Sequence, residues 1–215
     1  MESSNAHALE SRRELKTRQK AWARSFARTL ASANISPNII STFSVVFSIA
    51  ALSAFAMAHS SQNSLILILA AAGIQLRLLC NMMDGMVAIE FKKKTATGDL
   101  YNEVPDRIAD AIIILGAGLY CQSHDQGMSL AWANIFLATM TAYIRTLGAS
   151  LGHGHRFLGP MAKQHRMASL TAVALIEAFV KCDAIYIGLW IMLAGLIVTV
   201  IRRLTDLAQF LKETK

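Results

Sequence analysis

Long apolar stretches alternate with short polar breaks along the chain, and that alternation predicts its elements. From Thr29 to Leu76 there is no Asp, Glu, Lys or Arg, and only the polar patch His59 to Ser64 interrupts the run. Each half supplies the roughly 20 apolar residues a spanning helix needs. The same criterion along the chain predicts six spans, at about 38–58, 65–87, 104–122, 129–149, 167–182 and 184–202. Helices are expected rather than strands, because backbone groups in lipid must pair within their own segment and no two-residue alternation is present. A polar segment precedes the first apolar run, which is not the layout of a cleaved signal peptide.

Composition strengthens the membrane reading: 54% of the 215 residues are hydrophobic and 16% charged, too apolar for an ordinary soluble domain. Charge then orients the spans. Seven Lys or Arg precede the first span, Lys92 to Lys94 follow the second, and Arg156, Lys163 and Arg166 follow the fourth. Arg202, Arg203, Lys212 and Lys215 close the chain, whereas the loops of the opposite side carry only Lys181. This asymmetry predicts that both termini and the polar segment after the second span are cytoplasmic. The net charge of +7 is then a topology signal suited to anionic lipid headgroups, and no nucleic-acid partner is needed to explain it. Residues 1–35 form the first predicted unit. Arg12, Lys16, Lys20, Arg24 and Arg28 recur every fourth residue, with Leu15, Trp22, Phe26 and Leu30 on another side. That pattern predicts an amphipathic helix lying on the cytoplasmic leaflet, with a solvated basic arm as the alternative. Residues 36–215 form the second unit. The expected fold class is therefore an all-α integral membrane protein with six transmembrane helices and an amino-terminal amphipathic interfacial helix. Cys80, Cys121 and Cys182 show neither zinc spacing nor a disulfide framework and are expected to be small packing residues.

One segment breaks the apolar pattern with oxygen-bearing side chains. Asn81 and Asp84 lie three apart at the cytoplasmic end of the second span, and Asn102, Asp106 and Asp110 lie four apart at the start of the third. Each set shares a helix face. Two such faces brought together would gather carboxylate and amide oxygens, the ligands that hard cations such as Mg²⁺ prefer. Acids within spans are functional-site candidates by default. The alternative is a structural polar cluster, with the acids paired to Arg77 and Arg107.

The spacing N-x2-D-G-x2-A-x9-G-x3-N-x3-D, from Asn81 to Asp106, resembles the signature of the CDP-alcohol phosphotransferase family, which reads D-x2-D-G-x2-A-R followed by G-x3-D-x3-D. Asp84, Gly85, Ala88, Gly98 and Asp106 fall on matching positions, and Ser36 to Ser41 resembles the family's Pro-Asn-x-x-Thr segment. The resemblance implies transfer of a phospho-alkyl group, in the first instance phosphatidyl, from a CDP-linked donor to an acceptor hydroxyl, with release of CMP in phospholipid synthesis. It implies Mg²⁺ or Mn²⁺ as cofactor, held at Asn81, Asp84, Asn102 and Asp106. Asp106 would be the general base, and Pro37, Asn38, Ser41, Gly85, Ala88 and Gly98 would surround the CDP moiety. Arg77, Arg145 and Lys163 would contact the acceptor or phosphates. CDP-diacylglycerol is the favoured donor, and homodimers and a bacterial inner-membrane location are further implications of the resemblance.

Three positions depart from the pattern. Asn81 and Asn102 stand where the family usually has aspartate, and Ile89 where it has arginine. An amide offers a metal oxygen but no charge, so the matched quartet carries two negative charges. One tightly held ion is expected, or two with the second recruited by substrate, leaning on Asp99, Glu103 or Asp110. Gly98 favours the register ending at Asp106, leaving Asp110 as a supporting group or a partner of Arg107. Arg166 is open between topology and phosphate contact, and Glu177 has no assigned role. His153 and His155 are expected to be solvated loop residues. Two rival activities remain: transfer of a CDP-linked headgroup to a lipid alcohol, and an inactive lipid-binding or transport relative. The lack of breaks or repeats within the spans speaks against a carrier.

Overall fold

Ser36 opens the first long helix by accepting a hydrogen bond from the Ile39 N–H at 3.3 Å, and Pro37 fills the first helical position, where its missing N–H has no partner to lose. The computed structural model describes residues 20–91, 93 and 96–214. Its helices are α1 (Ala21–Ser32), α2 (Pro37–Ser61), α3 (Leu67–Glu90), α4 (Gly98–Tyr120), α5 (Gly127–Ser150), α6 (Lys163–Val180) and α7 (Ala184–Glu213), with a single 3₁₀ turn at Ser64–Ile66. A helix therefore stands at each expected span. The polar patch at 59–64 makes the turn between α2 and α3. There Gln62 adopts a left-handed conformation, and the Asn63 side chain accepts from the Leu65 N–H.

Four of these segments are long and apolar enough to cross a membrane: Pro37–Ser61, Ser64–Glu90, Gly127–Ser150 and Ala184–Glu213. The remaining two long helices are the ones that carry charge in their first halves. α4 holds Glu103, Asp106, Arg107 and Asp110, and α6 holds Lys163 and Arg166. The distribution of burial is inside-out relative to a soluble domain. Phe43, Ile49, Leu69, Phe136, Phe179 and Ile191 are exposed, while Arg77, Asp84, Asp106, Asp110, Asn134, Arg166 and Glu177 are buried. A continuous exposed apolar surface of this kind needs a nonpolar environment.

Small residues bring the helices close, as is common where lipid supplies no hydrophobic contrast. A side chain on Gly116 of α4 would come within 2.8 Å of the Leu52 backbone on α2. Ser44 and Ser48 are buried on α2 and satisfy themselves by donating to the carbonyls of Ser41 (2.6 Å) and Ser44 (2.8 Å). Asn134 ties α5 to α7 through the Leu189 carbonyl at 3.1 Å, and Gln75 ties α3 to α6 through Thr171 at 2.8 Å. The chain between α5 and α6 is pinned to α7. Gly159 has φ +101°, and the Met161 N–H donates to Thr199 Oγ1 at 3.0 Å. That anchor sets where α6, and so Lys163, begins.

α1 packs on α3 through Ala23, Ala27 and Ala31, which are buried against Met82, Met83, Met86 and Val87. Trp22 and Phe26 are exposed on one flank, and Arg24 and Arg28 are exposed on another. The predicted residues Arg12, Leu15 and Lys16 lie outside the described residues. Cys121 is buried as expected, but Cys182 is exposed, because the turn that carries it lies outside the packed helices.

Candidate active site

Asp84 sits in the last two turns of α3, and Asp106 and Asp110 lie in α4. All three are buried, with 4%, 6% and 3% exposure. Their surroundings differ. Ser41 of α2 donates to Asp84 Oδ2 at 2.6 Å, and the other oxygen, Oδ1, is buried with no hydrogen-bond partner. Asp106 has both oxygens engaged. Asn81 Nδ2 donates to Oδ1, Lys163 Nζ donates to Oδ2, and Arg77 Nη2 lies 3.4 Å from Oδ1. Asp110 is clamped between two guanidinium groups, Arg77 at 2.5 Å and Arg166 at 2.7 Å. α3, α4 and α6 thus meet through one ionic cluster, closed on its fourth side by the Ser41 face of α2.

The expected CDP-binding positions surround this cluster. Pro37 and Ser41 are buried, Gly85 is buried one residue beyond Asp84, and Ala88 is half-buried one turn further on. Gly98 is the first residue of α4, next to Thr97, whose hydroxyl accepts from Asn38 Nδ2 at 3.2 Å and so joins the starts of α2 and α4. Asn102 is exposed one turn before Asp106.

Arg145 of α5 lies beyond the cluster. It donates to Glu103 Oε1 at 2.6 Å and lies 3.2 Å from His155 Nδ1. Glu103 also accepts from Arg107 at 3.2 Å, so Arg107 pairs with Glu103 and not with Asp110. Of the two alternatives for Asp110, the pairing with Arg107 is not found; Arg107 lies instead 3.8 Å from Asp106 Oδ2. Asp110 is buried toward α3 and α6, where Arg77 and Arg166 hold it, while Arg107 is partly exposed and turns to Glu103. His153 is not solvated as expected. Its Nε2 lies 2.6 Å from Asp206 Oδ2, and its ring packs on Phe210. With Arg145, Arg156 and Arg203 it lines a shallow cleft between α5 and α7.

Arg166 and Arg203 were read as topology charges or left open, yet both are buried. Arg203 donates to the carbonyls of Leu158 (2.9 Å) and Thr141, and Arg166 donates to the Met161 carbonyl at 2.9 Å as well as to Asp110. Apart from Met161, five residues before Arg166, these partners lie 45 to 62 residues away in sequence, beyond any helical spacing rule. The one available signal was the apolar setting of Arg203, next to exposed Arg202 on the opposite face.

The donor set suits a hard divalent cation in part. Asp84 offers one buried, unpartnered carboxylate oxygen, and with Nδ2 of Asn81 turned to Asp106 its Oδ1 is left for another partner. Among the described residues, however, no three His, Cys, Asp or Glu side chains converge as a metal-binding group. Oxygens from a substrate would have to complete the shell.

Comparison with known proteins agrees with this layout. No curated protein matches the chain. Among solved structures, the Mycobacterium tuberculosis phosphatidylinositol phosphate synthase PgsA1 with CDP-DAG bound superposes with a TM-score of 0.74 and 20% identity, covering 86% of this chain and 92% of that one. The same enzyme in complex with manganese and citrate gives 0.74 and 20%, covering 86% and 88%, and its apo form gives 0.70 and 21%, covering 84% and 93%. At that identity the likeness establishes the fold. A profile of the CDP-alcohol phosphatidyltransferase family matches residues 34–201. With the match spanning most of the sequence, from the turn before α2 into α7, the chain belongs to the CDP-alcohol phosphatidyltransferase family.

Proposed function

We propose that this chain is a membrane-embedded, divalent-metal-dependent transferase that moves a phosphatidyl group from CDP-diacylglycerol to the hydroxyl of a small polyol or polyol phosphate, releasing CMP. One observation carries the reading: the buried Asp84 oxygen left without a partner beside the Asp106 cluster, at the ends of α3 and α4. A carboxylate oxygen out of water without a hydrogen bond is costly, and a bound cation is the natural remedy. Family membership, and fold neighbours solved with CDP-DAG and with manganese, support the choice of donor and of Mg²⁺ or Mn²⁺.

Six helices, α2 to α7, cross the inner membrane of a bacterium in this reading. The Lys and Arg excess puts both termini and the site in the cytoplasm. α4 and α6 span despite their charges because those charges meet one another inside the bundle. α1 lies at the cytoplasmic interface, with Trp22 and Phe26 toward the acyl region and Arg24 and Arg28 toward phosphates.

The donor diphosphate enters over Gly85, where the absent side chain lets phosphate approach α3. Pro37, Asn38, Ser41, Ala88 and Gly98 frame the nucleotide. Asp84 and Asn81 would hold the ion, with Asp106 and Asn102 as further candidate ligands. When bound, the ion offsets charge on the diphosphate and on the departing CMP oxygen. Asp106 takes the acceptor proton, once Lys163 has swung from its Oδ2 toward a phosphate oxygen. Arg77 keeps its grip on Oδ1 and holds the carboxylate in orientation. Arg145, linked through Glu103 and Arg107 to the Asp106 side, faces the basic cleft where a phosphorylated acceptor would sit.

The reading is tested by incubating purified protein with CDP-diacylglycerol or CDP-linked headgroups, a panel of acceptors, and Mg²⁺ or Mn²⁺, and following CMP. CMP release with CDP-diacylglycerol and a polyol supports it. Release only with a CDP-headgroup and a lipid alcohol moves the activity to the other branch. The full engagement of Asp106 by Asn81, Arg77 and Lys163 favours one rival, a lipid-binding relative without catalysis, and no CMP from any donor would establish that rival.

A further inference from the structure

We propose that the Lys163 ammonium does the electrostatic work of a second divalent ion, so that the site holds one ion per donor diphosphate. This rests on the transferase reading above and concerns how the cluster balances charge.

Three carboxylates (Asp84, Asp106 and Asp110) face three cations (Arg77, Lys163 and Arg166) at the centre of the cluster, and Arg107, 3.8 Å from Asp106 Oδ2, shares Glu103 with Arg145 at its edge. The group therefore carries no excess of negative charge before any ion or substrate arrives. A diphosphate diester brings two negative charges, one on each phosphate, and a single divalent cation offsets them. A second would leave an excess of positive charge among side chains removed from water, where uncompensated charge is expensive.

Ligand supply leads to the same count. A hard divalent ion wants about six oxygens. Among the described residues of the cluster, Asp84 Oδ1 is a buried carboxylate oxygen without a hydrogen bond, while Asp106 and Asp110 are held by nitrogen donors on both oxygens. Asn81 supplies an amide where a charged ligand would draw in another cation, and Asn102 stands exposed at the edge.

Lys163 is also the cation placed to act on a substrate. Its side chain is 25% exposed, whereas that of Arg77 is wholly buried. It leads from the first residue of α6, set by the Met161–Thr199 anchor, and its long flexible stem can trade Asp106 for a phosphate oxygen. Arg166 is fixed on Asp110 and the Met161 carbonyl, and cannot make that exchange without leaving buried partners unpaired.

The test counts ions. Full-length protein in nanodiscs is saturated with CDP-diacylglycerol and titrated with Mn²⁺, the bound fraction being read by electron paramagnetic resonance. One ion per wild-type chain is expected, and two or none overturns the proposal. Lys163→Gln should raise Mn²⁺ affinity in the absence of nucleotide by about fivefold or more, since a neighbouring cation is gone. An unchanged affinity also overturns it. The triple variant Asn81→Asp, Asn102→Asp, Lys163→Gln should hold two ions, and one ion in a folded triple variant counts against the charge argument. If that variant does not fold, the wild-type count and the Lys163→Gln affinity still decide. A wild-type chain that releases CMP while holding two ions removes the proposal and leaves the transferase standing. One ion bound without CMP release under any acceptor does the reverse.

Discussion

The bundle buries carboxylates at both ends, and the two ends treat them differently. At the end formed by the C-termini of α2, α4 and α6 and the start of α7, Glu177 accepts from the Ala184 N–H at 2.6 Å and from the Tyr120 hydroxyl at 3.3 Å. Ala184 begins α7, so the Glu177 carboxylate faces the free N–H groups and positive end of a helix. Both oxygens are satisfied by neutral donors. Next to it lies a cleft of about 260 Å³ lined by His59, Tyr120, His124, Lys181 and Asp183. At the other end Asp106 and Asp110 are held by cations, and Asp84 keeps an oxygen with no partner. A buried acid that closes a helix junction is saturated by local polar groups. A buried acid with an open oxygen, among neighbours locked in ion pairs, is prepared for something that the chain itself does not supply.

The largest expected difference is in turnover. Replacing Asp106 by Ala should lower CMP release by about 10²–10⁴-fold, the span of a lost general base, at unchanged folding. Glu177→Gln should change it less than about twofold, since neither of its partners reaches the substrate. Similar losses from both would erase the contrast between the ends. Next comes stability. Asp110→Ala leaves Arg166 buried with no carboxylate and Arg77 with only its longer contact to Asp106, at a cost of about 3–5 kcal/mol. Denaturant unfolding in mixed micelles measures this. The double variant Asp110→Leu, Arg166→Met should recover part of it, because the buried positive charge left without a carboxylate is then removed.

How much of this was legible in the sequence depended on the distance between partners. Asn81 with Asp84, and Asp106 with Asp110, share helix faces by spacing alone, and the structure packs those faces together. The apolar runs located the helices but not their ends. α4 begins at Gly98, six residues before its predicted start, and α7 runs on to Glu213, because a helix continues into water where apolarity stops. The clamp on Asp110 could not be read. Arg77 lies 33 residues before it and Arg166 56 residues after it, and only the packing of α3 and α6 on α4 joins them. The same holds for Lys163, predicted as a phosphate contact and found on Asp106, 57 residues away. Reading the basic residues by loop position identified a topology signal and missed that some of those charges turn inward.

A smaller effect separates the two ends by affinity. Ser41→Ala removes the hydrogen bond to Asp84 Oδ2 without touching a helix contact. Groups that orient a metal ligand are worth about 10–100-fold in metal affinity. Mn²⁺ binding in the presence of CDP-diacylglycerol should weaken by that amount while the unfolding midpoint stays nearly fixed. The corresponding change at the opposite end is Tyr120→Phe, which removes the hydroxyl donated to Glu177. There the outcome should be inverted. Stability should fall by about 1 kcal/mol, the net value of one such bond, and Mn²⁺ affinity should not move. If Ser41→Ala costs stability alone, Asp84 is a structural acid like Glu177, and the open oxygen beside Gly85 loses its claim to an ion.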